Sequence, residues 1–346
     1  MTLPADADRL LATLRTGAWL DAQVFPPLAY AVPGLIPEGS VLLVGAPKIG
    51  KSWLVLAVGL AAASGGKALG LDVPKRPVLY LALEDGDRRL QDRCRRLLAD
   101  DPIPPEFQYI TRIEPGRIID TIGAWRHWQP NPPLIILDTL GKVLPPTQMG
   151  EDRYQRDYRI GSALKQVVDG RPGMTLLINH HDRKANAEDF VDAVSGTHGL
   201  AGAADTIIVL SRDRQEAAGL LKVTGRDVAE GEYAVRFSDG AVWELAGQDL
   251  EVSREKAQAV RATAGVSDRM LDVVLYAYEH PEGVRRGDVA AALDLDPRQA
   301  SVYLSRAVAA NRLKRAERGL YVPVASVALL SPDAPPDNNA TDITPP

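Results

Sequence analysis

A chain of 346 residues can bury a sizeable core and accommodates two domains or one large one. Its formal net charge of −5 excludes a bulk electrostatic pull toward nucleic acid, so any such contact has to be a local patch. A single cysteine, Cys94, excludes an intramolecular disulfide framework and a cysteine-rich zinc site, which fits a reducing, cytoplasmic setting.

Residues 1–38 carry a short helical pattern, Ala5 to Leu14, then a proline-punctuated approach through Phe25-Pro26-Pro27 and Val32-Pro33-Gly34. This lead-in is expected to pack beside the site that follows. Val41-Leu42-Leu43-Val44 reads as a buried strand, and Trp53 to Val58 opens a helix. Between them stands G-A-P-K-I-G-K-S, residues 45–52, which matches the phosphate-binding loop G-x-x-x-x-G-K-[ST] in its strand–loop–helix setting. Gly45 and Gly50 let the backbone bend and approach phosphate. The amides of Ala46, Lys48, Ile49 and Gly50, and the positive end of the helix at Trp53, supply donors to anionic oxygens, while Pro47 has none to give. Lys51 would reach the β- and γ-phosphates, and the Ser52 hydroxyl would bind magnesium. A plain strand–turn–helix corner needs neither of these two side chains. The run Trp53 to Ala63 is too short to span a bilayer.

Pro77 to Leu83 reads as a central parallel strand, apolar on both faces. It ends in Glu84-Asp85-Gly86-Asp87 and leads into a helix with Leu90, Cys94, Leu97 and Leu98 at helical spacing. Arg88, Arg89, Arg93, Arg95 and Arg96 are expected mostly on its wet side. A carboxylate at the C-terminal end of a parallel strand stands where open α/β sheets bind ligands, so Glu84 would orient or deprotonate an attacking water. Asp85 and Asp87 are read as helix-capping and dipole-complementing groups. Residues 107–111 form a shorter strand and Ile118 to Trp128 a helix. The apolar run Leu134-Ile135-Ile136-Leu137 then ends in Asp138, the Walker B pattern, placing a magnesium-binding carboxylate opposite Ser52.

A polar loop, residues 144–158, leads into a helix ending near Val168. The strand from Met174 to Asn179 ends at His180-His181, and a polar stretch from Asp182 to Gly199 carries Arg183 and Lys184. Adjacent strand residues point to opposite faces and no third ligand stands at metal spacing, so the histidine pair does not read as a metal site. His180 is either a sensor of the γ-phosphate or a histidine satisfied by its surroundings. Ala204 to Leu210 is a further strand. Residues 220–224, 233–237 and 241–244 continue the sheet antiparallel, with Ser238-Asp239-Gly240 as the last turn.

Leu250 to Ala262 reads as a charged connecting helix. Residues 266–325 give three helical patterns, the third starting at Asp296-Pro297, and a hairpin about Glu317-Arg318-Gly319, an arrangement resembling a winged helix-turn-helix. Arg298, Arg306, Arg312, Lys314 and Arg315 give its third helix and wing a local basic excess suited to phosphate contacts. A small helical module for subunit contacts accounts for the same pattern. Residues 326–346, rich in Pro, Asp and Asn, read as a disordered tail. The expected division is thus a lead-in at 1–38, an α/β domain at 39–248, a linker helix at 249–265, the helical module at 266–325 and the tail.

Residues 45–52, Glu84, Asp138, His180-His181 and the Lys222…Gly225-Arg226-Asp227 segment together resemble the RecA-like ATPases of the plasmid replicative helicase RepA type, within the AAA ATPases. The resemblance covers about residues 30–245 and implies a mostly parallel α/β core that hydrolyses ATP with Mg2+. It also implies a ring, expected to be a homo-hexamer, with ATP between subunits and a neighbour's basic residue at the γ-phosphate. Arg226 and Lys222 are the candidates for that residue, with Arg212 as a rival and solvated strand-edge charge as the plainer account. Family loops that bind single-stranded DNA would fall near residues 145–155 and 182–199. Neither loop is rich in aromatics, which favours contact with the DNA backbone.

Overall fold

The computed structural model describes residues 11–114, 116–142, 145, 147–181, 198–212, 216–263, 268–309 and 312–324. The polar stretch with Arg183 and Lys184, most of the first helical pattern and the tail lie outside these residues.

A short helix α1 (Gly17–Asp21) precedes a hairpin of β1 (Tyr30–Val32) and β2 (Ile36–Pro37). Then come β3 (Gly39–Gly45), α2 (Lys51–Ser64), the small hairpin β4 (Lys67–Ala68) and β5 (Leu71–Asp72), and β6 (Val78–Ala82). The α/β alternation continues with α3 (Asp87–Leu98), β7 (Phe107–Ile110), α4 (Ile118–His127), β8 (Leu134–Asp138), α5 (Arg153–Asp169) and β9 (Thr175–His181). After α6 (His198–Ala203) the chain forms β10 (Thr206–Arg212), β11 (Ala218–Gly225), β12 (Gly231–Ser238) and β13 (Val242–Leu245).

These strands make one nine-stranded sheet in the order β13-β12-β11-β10-β3-β9-β8-β6-β7. From β10 to β7 every pairing is parallel, and from β10 to β13 every pairing is antiparallel. The parallel strands are apolar on both faces because helices cover both. On β3, Val41 and Leu43 join the core beneath α2 and α3, while Leu42 and Val44 join the core beneath α4 and α5. The same alternation divides Val78 and Tyr80 from Leu79 and Leu81. Ala31, Val32, Leu35 and Ile36 are buried in the first of these cores, so the packed unit begins before residue 39. α2 is apolar nearly all round and is accordingly an interior helix. α5 starts with a capping box, the Asp152 carboxylate accepting from the Gln155 amide at 2.7 Å.

Beyond the sheet, α7 (Leu250–Thr263) follows. A separate core then gathers α8 (Asp268–Tyr278), α9 (Arg286–Ala292) and α10 (Pro297–Ala309) with an antiparallel sheet of β14 (Val284–Arg285), β15 (Leu313–Glu317) and β16 (Leu320–Pro323). Val274, Val289, Leu304, Leu313 and Tyr321 are among its buried members. No helix among the described residues is long and apolar enough to cross a membrane.

Candidate active site

β3 delivers the chain to residues 45–52 at its C-terminal end, beside the ends of β9 and β10. A Cβ on residue 45 would stand 2.5 Å from the Leu210 carbonyl oxygen, so only glycine fits there. Gly50 caps α2 at a φ of 102°, a left-handed conformation, with the Trp243 indole nitrogen 2.9 Å from where a Cβ would be. The Lys51 ammonium is folded into the curl of the loop and donates to the carbonyls of Gly45 at 2.7 Å and Ala46 at 2.8 Å. The outer side of the loop is held from the antiparallel strands. Trp243 Nε1 donates to the Gly50 carbonyl at 3.0 Å, and Arg212 Nε donates to the Ile49 carbonyl at 3.3 Å. Arg212 also lies over the Phe237 ring, 4.6 Å from its centroid.

β8 ends in Asp138, only 3 % exposed. Its Oδ1 accepts from the Ser52 hydroxyl at 3.0 Å and from Asn179 Nδ2 at 2.6 Å, and its Oδ2 accepts from the Tyr80 hydroxyl at 2.5 Å. Burial, together with the negative charge of Asp138, raises the Tyr80 phenol well above its ordinary range, so it stays a neutral donor. Asn179 Oδ1 is buried with no hydrogen-bond partner among the described residues. A hydroxyl, a carboxylate and an amide oxygen form the hard-oxygen set that suits magnesium. Among the described residues no group of three or more His, Cys, Asp or Glu side chains could hold a metal alone. Such an ion would need the phosphates of a bound nucleotide as further ligands, as Mg2+ commonly does.

A cleft of about 650 Å³ opens over the loop and is lined by Lys51, Ser52, Glu84 and Asp138 as well as Trp53 and Phe237. Glu84 stands exposed in the turn after β6. Asp85 does not cap α3, whose N-cap is Gly86 without a side-chain bond; it is buried and paired with Arg93, and with Arg89 at 3.1 Å. Arg93 is correspondingly buried rather than on the wet side, its guanidinium 4.7 Å from the centre of the Trp53 ring. Asp87 stays in the first turn of α3, where its charge complements the helix dipole.

The strand-end residue of β9 that reaches the Ser52–Asp138 pair is Asn179, and His180 points to the other face. Arg226 pairs with Asp205 at 3.6 Å and Lys222 with Glu232 at 3.4 Å. Gly225 is in register with Thr206, itself beside Val41, so Arg226 lies at the end of the sheet opposite to the loop of its own chain. In the C-terminal module Arg298 and Arg306 share one face of α10 with Ser301, Val302 and Ser305, joined by Arg286 of α9 around a shallow depression. Lys314 is exposed, Arg315 lies over Tyr321, and the Arg312 carbonyl accepts from the Tyr278 hydroxyl. Tyr80 and Asn179 are absent from the sequence reading because they look like ordinary strand residues. Their one signal is a polar atom inside an otherwise apolar run.

A phosphate-binding loop at the C-terminal edge of a parallel sheet, facing an aspartate two strands away, defines a P-loop nucleotide-binding protein with a mostly parallel α/β core. The AAA domain matches residues 6–187, more than half of the chain, and the chain belongs to that family. Among solved structures it is similar to one described as a DnaB-like replicative helicase and its interactions with primase. That likeness has a TM-score of 0.49 at 14% identity and covers 68% of this chain and 66% of the other, just under two thirds of its length. Comparison with curated proteins returns no match.

Proposed function

We propose that the chain hydrolyses ATP in this cleft and spends the cycle on DNA, as a ring-forming motor of the replicative helicase type. The observation that carries the reading is the convergence of Lys51, Ser52, Asp138 and an exposed Glu84 on one cleft. Lys51 exchanges its loop carbonyls for the β- and γ-phosphate oxygens, and the loop amides donate to the same chain of phosphates. Ser52 and Asp138 would hold Mg2+, with Tyr80 and Asn179 fixing the carboxylate. The ion, when bound, neutralises charge developing on the phosphate oxygens. Glu84 accepts a proton from water as the water oxygen bonds to the γ-phosphorus and the bond to the β-bridging oxygen breaks, giving ADP and phosphate. Arg226 or Lys222 of a neighbouring subunit completes the charge at the γ-phosphate in this reading. The C-terminal module acts as a winged helix-turn-helix whose Arg286, Arg298 and Arg306 face duplex phosphates.

A second reading is a DNA-bound ATPase that switches assembly without unwinding. It is favoured by the in-chain pairing of Lys222 and Arg226, which leaves the trans contact to be made only when those pairs open. Turnover of Lys51→Ala and Glu84→Gln tests the chemistry. Glu84→Gln is expected to lose about a hundred-fold or more in kcat while still binding ATP. Full activity in that variant removes Glu84 as the base. A strand-displacement assay on the wild-type protein separates motor from switch.

A further inference from the structure

We infer that Tyr154 and Tyr158 of α5 form a stacking platform for the unpaired bases of single-stranded DNA. The inference rests on the DNA-motor reading and concerns how such a strand is held, by its bases as well as by its phosphates. The loop that follows Asp138 is poor in aromatic residues along its length. Its end and the start of α5 nevertheless bring two rings together. Tyr154 and Tyr158 stand at i and i+4, so they project side by side from one face of the helix. Their ring planes are 14° apart and their centroids 6.2 Å, a stacked arrangement. The two residues are 53 % and 47 % exposed, so the stack is open to a further ring.

The support beneath the rings is well tied. The capping box of Asp152 and Gln155 fixes the first turn of α5. Glu151 folds back onto the helix, its carboxylate accepting from Arg159 Nε at 2.8 Å and Nη2 at 3.0 Å, and it also takes the Gln148 amide at 2.8 Å. The last residues of the loop are thereby fastened to the second turn of α5. α6 lies against the same turns. A Cβ on residue 199 would stand 2.5 Å from the Tyr154 carbonyl oxygen, so only glycine allows that approach, and Gly202 lies beside the Tyr158 ring.

What surrounds the rings selects the occupant. The carboxylates of Glu151 and Asp157 are each matched by an arginine, Arg159 and Arg156, both at 2.8 Å, and Asp152 is engaged at the helix N-terminus. A protein interface would surround such a pair with apolar neighbours and keep charge from its centre. A flat π surface bordered by polar groups instead suits a nucleobase, which offers a face to stack and leaves its polar edges and backbone in water. Position agrees with this. α5 carries the chain from the edge where β8 ends back to the start of β9, so the pair near its N-terminus stands at the sheet edge that also bears the nucleotide cleft. It belongs to the face covered by α4 and α5, away from α2, so a strand on the tyrosines leaves the cleft free.

The test is equilibrium binding of two labelled strands, an oligothymidylate and an abasic strand of the same length, to the full chain with Mg2+ and a non-hydrolysable ATP analogue. Both strands carry the same phosphates and only one carries bases. Wild type is compared with a double variant, Tyr154→Phe with Tyr158→Phe, that keeps both rings, and with another, Tyr154→Leu with Tyr158→Leu, that keeps apolar volume without them. Tyr158→Leu alone carries the test if the double leucine variant does not fold. Wild type and the phenylalanine variant are expected to bind the oligothymidylate about ten-fold tighter than the abasic strand. The leucine variant is expected to lose most of that preference, with abasic binding within about two-fold of wild type. A wild-type protein without the preference overturns the platform and leaves a DNA reading that uses backbone contact alone. A preference that survives in the leucine variant overturns it too, as does an equal loss on both strands, which would mark the pair as a prop for α5. A protein that binds neither strand removes the platform and the DNA reading together.

Discussion

The two sides of β3 do different work on the same loop. The parallel side, β9, β8 and β6, ends in side chains that meet Ser52 directly or stand in the cleft, each within two residues of its strand's C-terminal end: Asn179, Asp138, Glu84. Among the described residues the antiparallel side offers no comparable row of strand-end groups. It holds the loop from behind, through Arg212 on the Ile49 carbonyl and Trp243 on the Gly50 carbonyl. The difference follows from topology. Parallel strands joined by helical crossovers all end at one edge, so their C-terminal residues converge, whereas antiparallel strands alternate their ends and contribute whatever side chains lie nearest. Chemistry thus sits on one side of the loop and shape on the other.

The sharpest way to break that comparison is at Asp138. Asp138→Ala removes the acceptor shared by Ser52, Asn179 and Tyr80. Turnover is expected to fall by about a hundred-fold or more, the scale set by losing one preorganised electrostatic group. The Mg2+ dependence of nucleotide binding should flatten at the same time. The buried Tyr80 hydroxyl is left unpaired, costing about 1–3 kcal/mol of stability in a denaturant titration. Turnover that stays within a few-fold of wild type would show that the parallel side does not carry the chemistry.

The parallel side was also the legible one. Each of its strands is a run of apolar residues closed by a polar one, and the loop itself is a local pattern of eight residues, so residues 45–52, Glu84 and Asp138 can be found from sequence neighbours alone. Asn179 was one residue from His180, and the choice between them turns on which of the two side chains lies on the sheet face that carries Ser52, a matter of register. Tyr80 looks like a core aromatic until its hydroxyl is seen to end at Asp138. Trp243 stands 193 residues from the carbonyl that it binds, and nothing near it in the chain announces the contact. Asp85 and Arg93 form an i, i+8 pair across a helix start, longer than the local rules for capping, which is why the expected cap became a buried ion pair.

A smaller effect is expected from the antiparallel side. Trp243→Phe keeps the ring against Phe237, now 4.8 Å between centroids, but removes the indole donor to Gly50. The orphaned carbonyl and the loosened loop should lower stability by about 1–2 kcal/mol and weaken ATP binding several-fold, with kcat at saturating ATP reduced less than binding. A loss confined to kcat would place chemistry on this side and dissolve the distinction between the two.

A last effect, on stability alone, appears only in alkaline solution and probes packing beneath the parallel side without touching the cleft. Cys94 of α3 is buried in the core shared with Leu90 and Tyr80, and burial pushes its thiol up to about 11 from an ordinary value of 9.0. Between those values the unfolded chain releases a proton that the folded chain keeps. The contribution is therefore complete below pH 9 and is lost as pH rises through about 11. At about 1.4 kcal/mol per pKa unit the loss is at most about 2–3 kcal/mol. Cys94→Ala removes the titrating group, so its stability should fall less steeply than that of wild type over this window, measured by denaturant unfolding at matched pH values. Equal slopes would mean that the thiol reaches water in the folded state, and that the helix carrying Arg89, Arg93 and Arg96 sits more loosely on the parallel strands than its buried face implies.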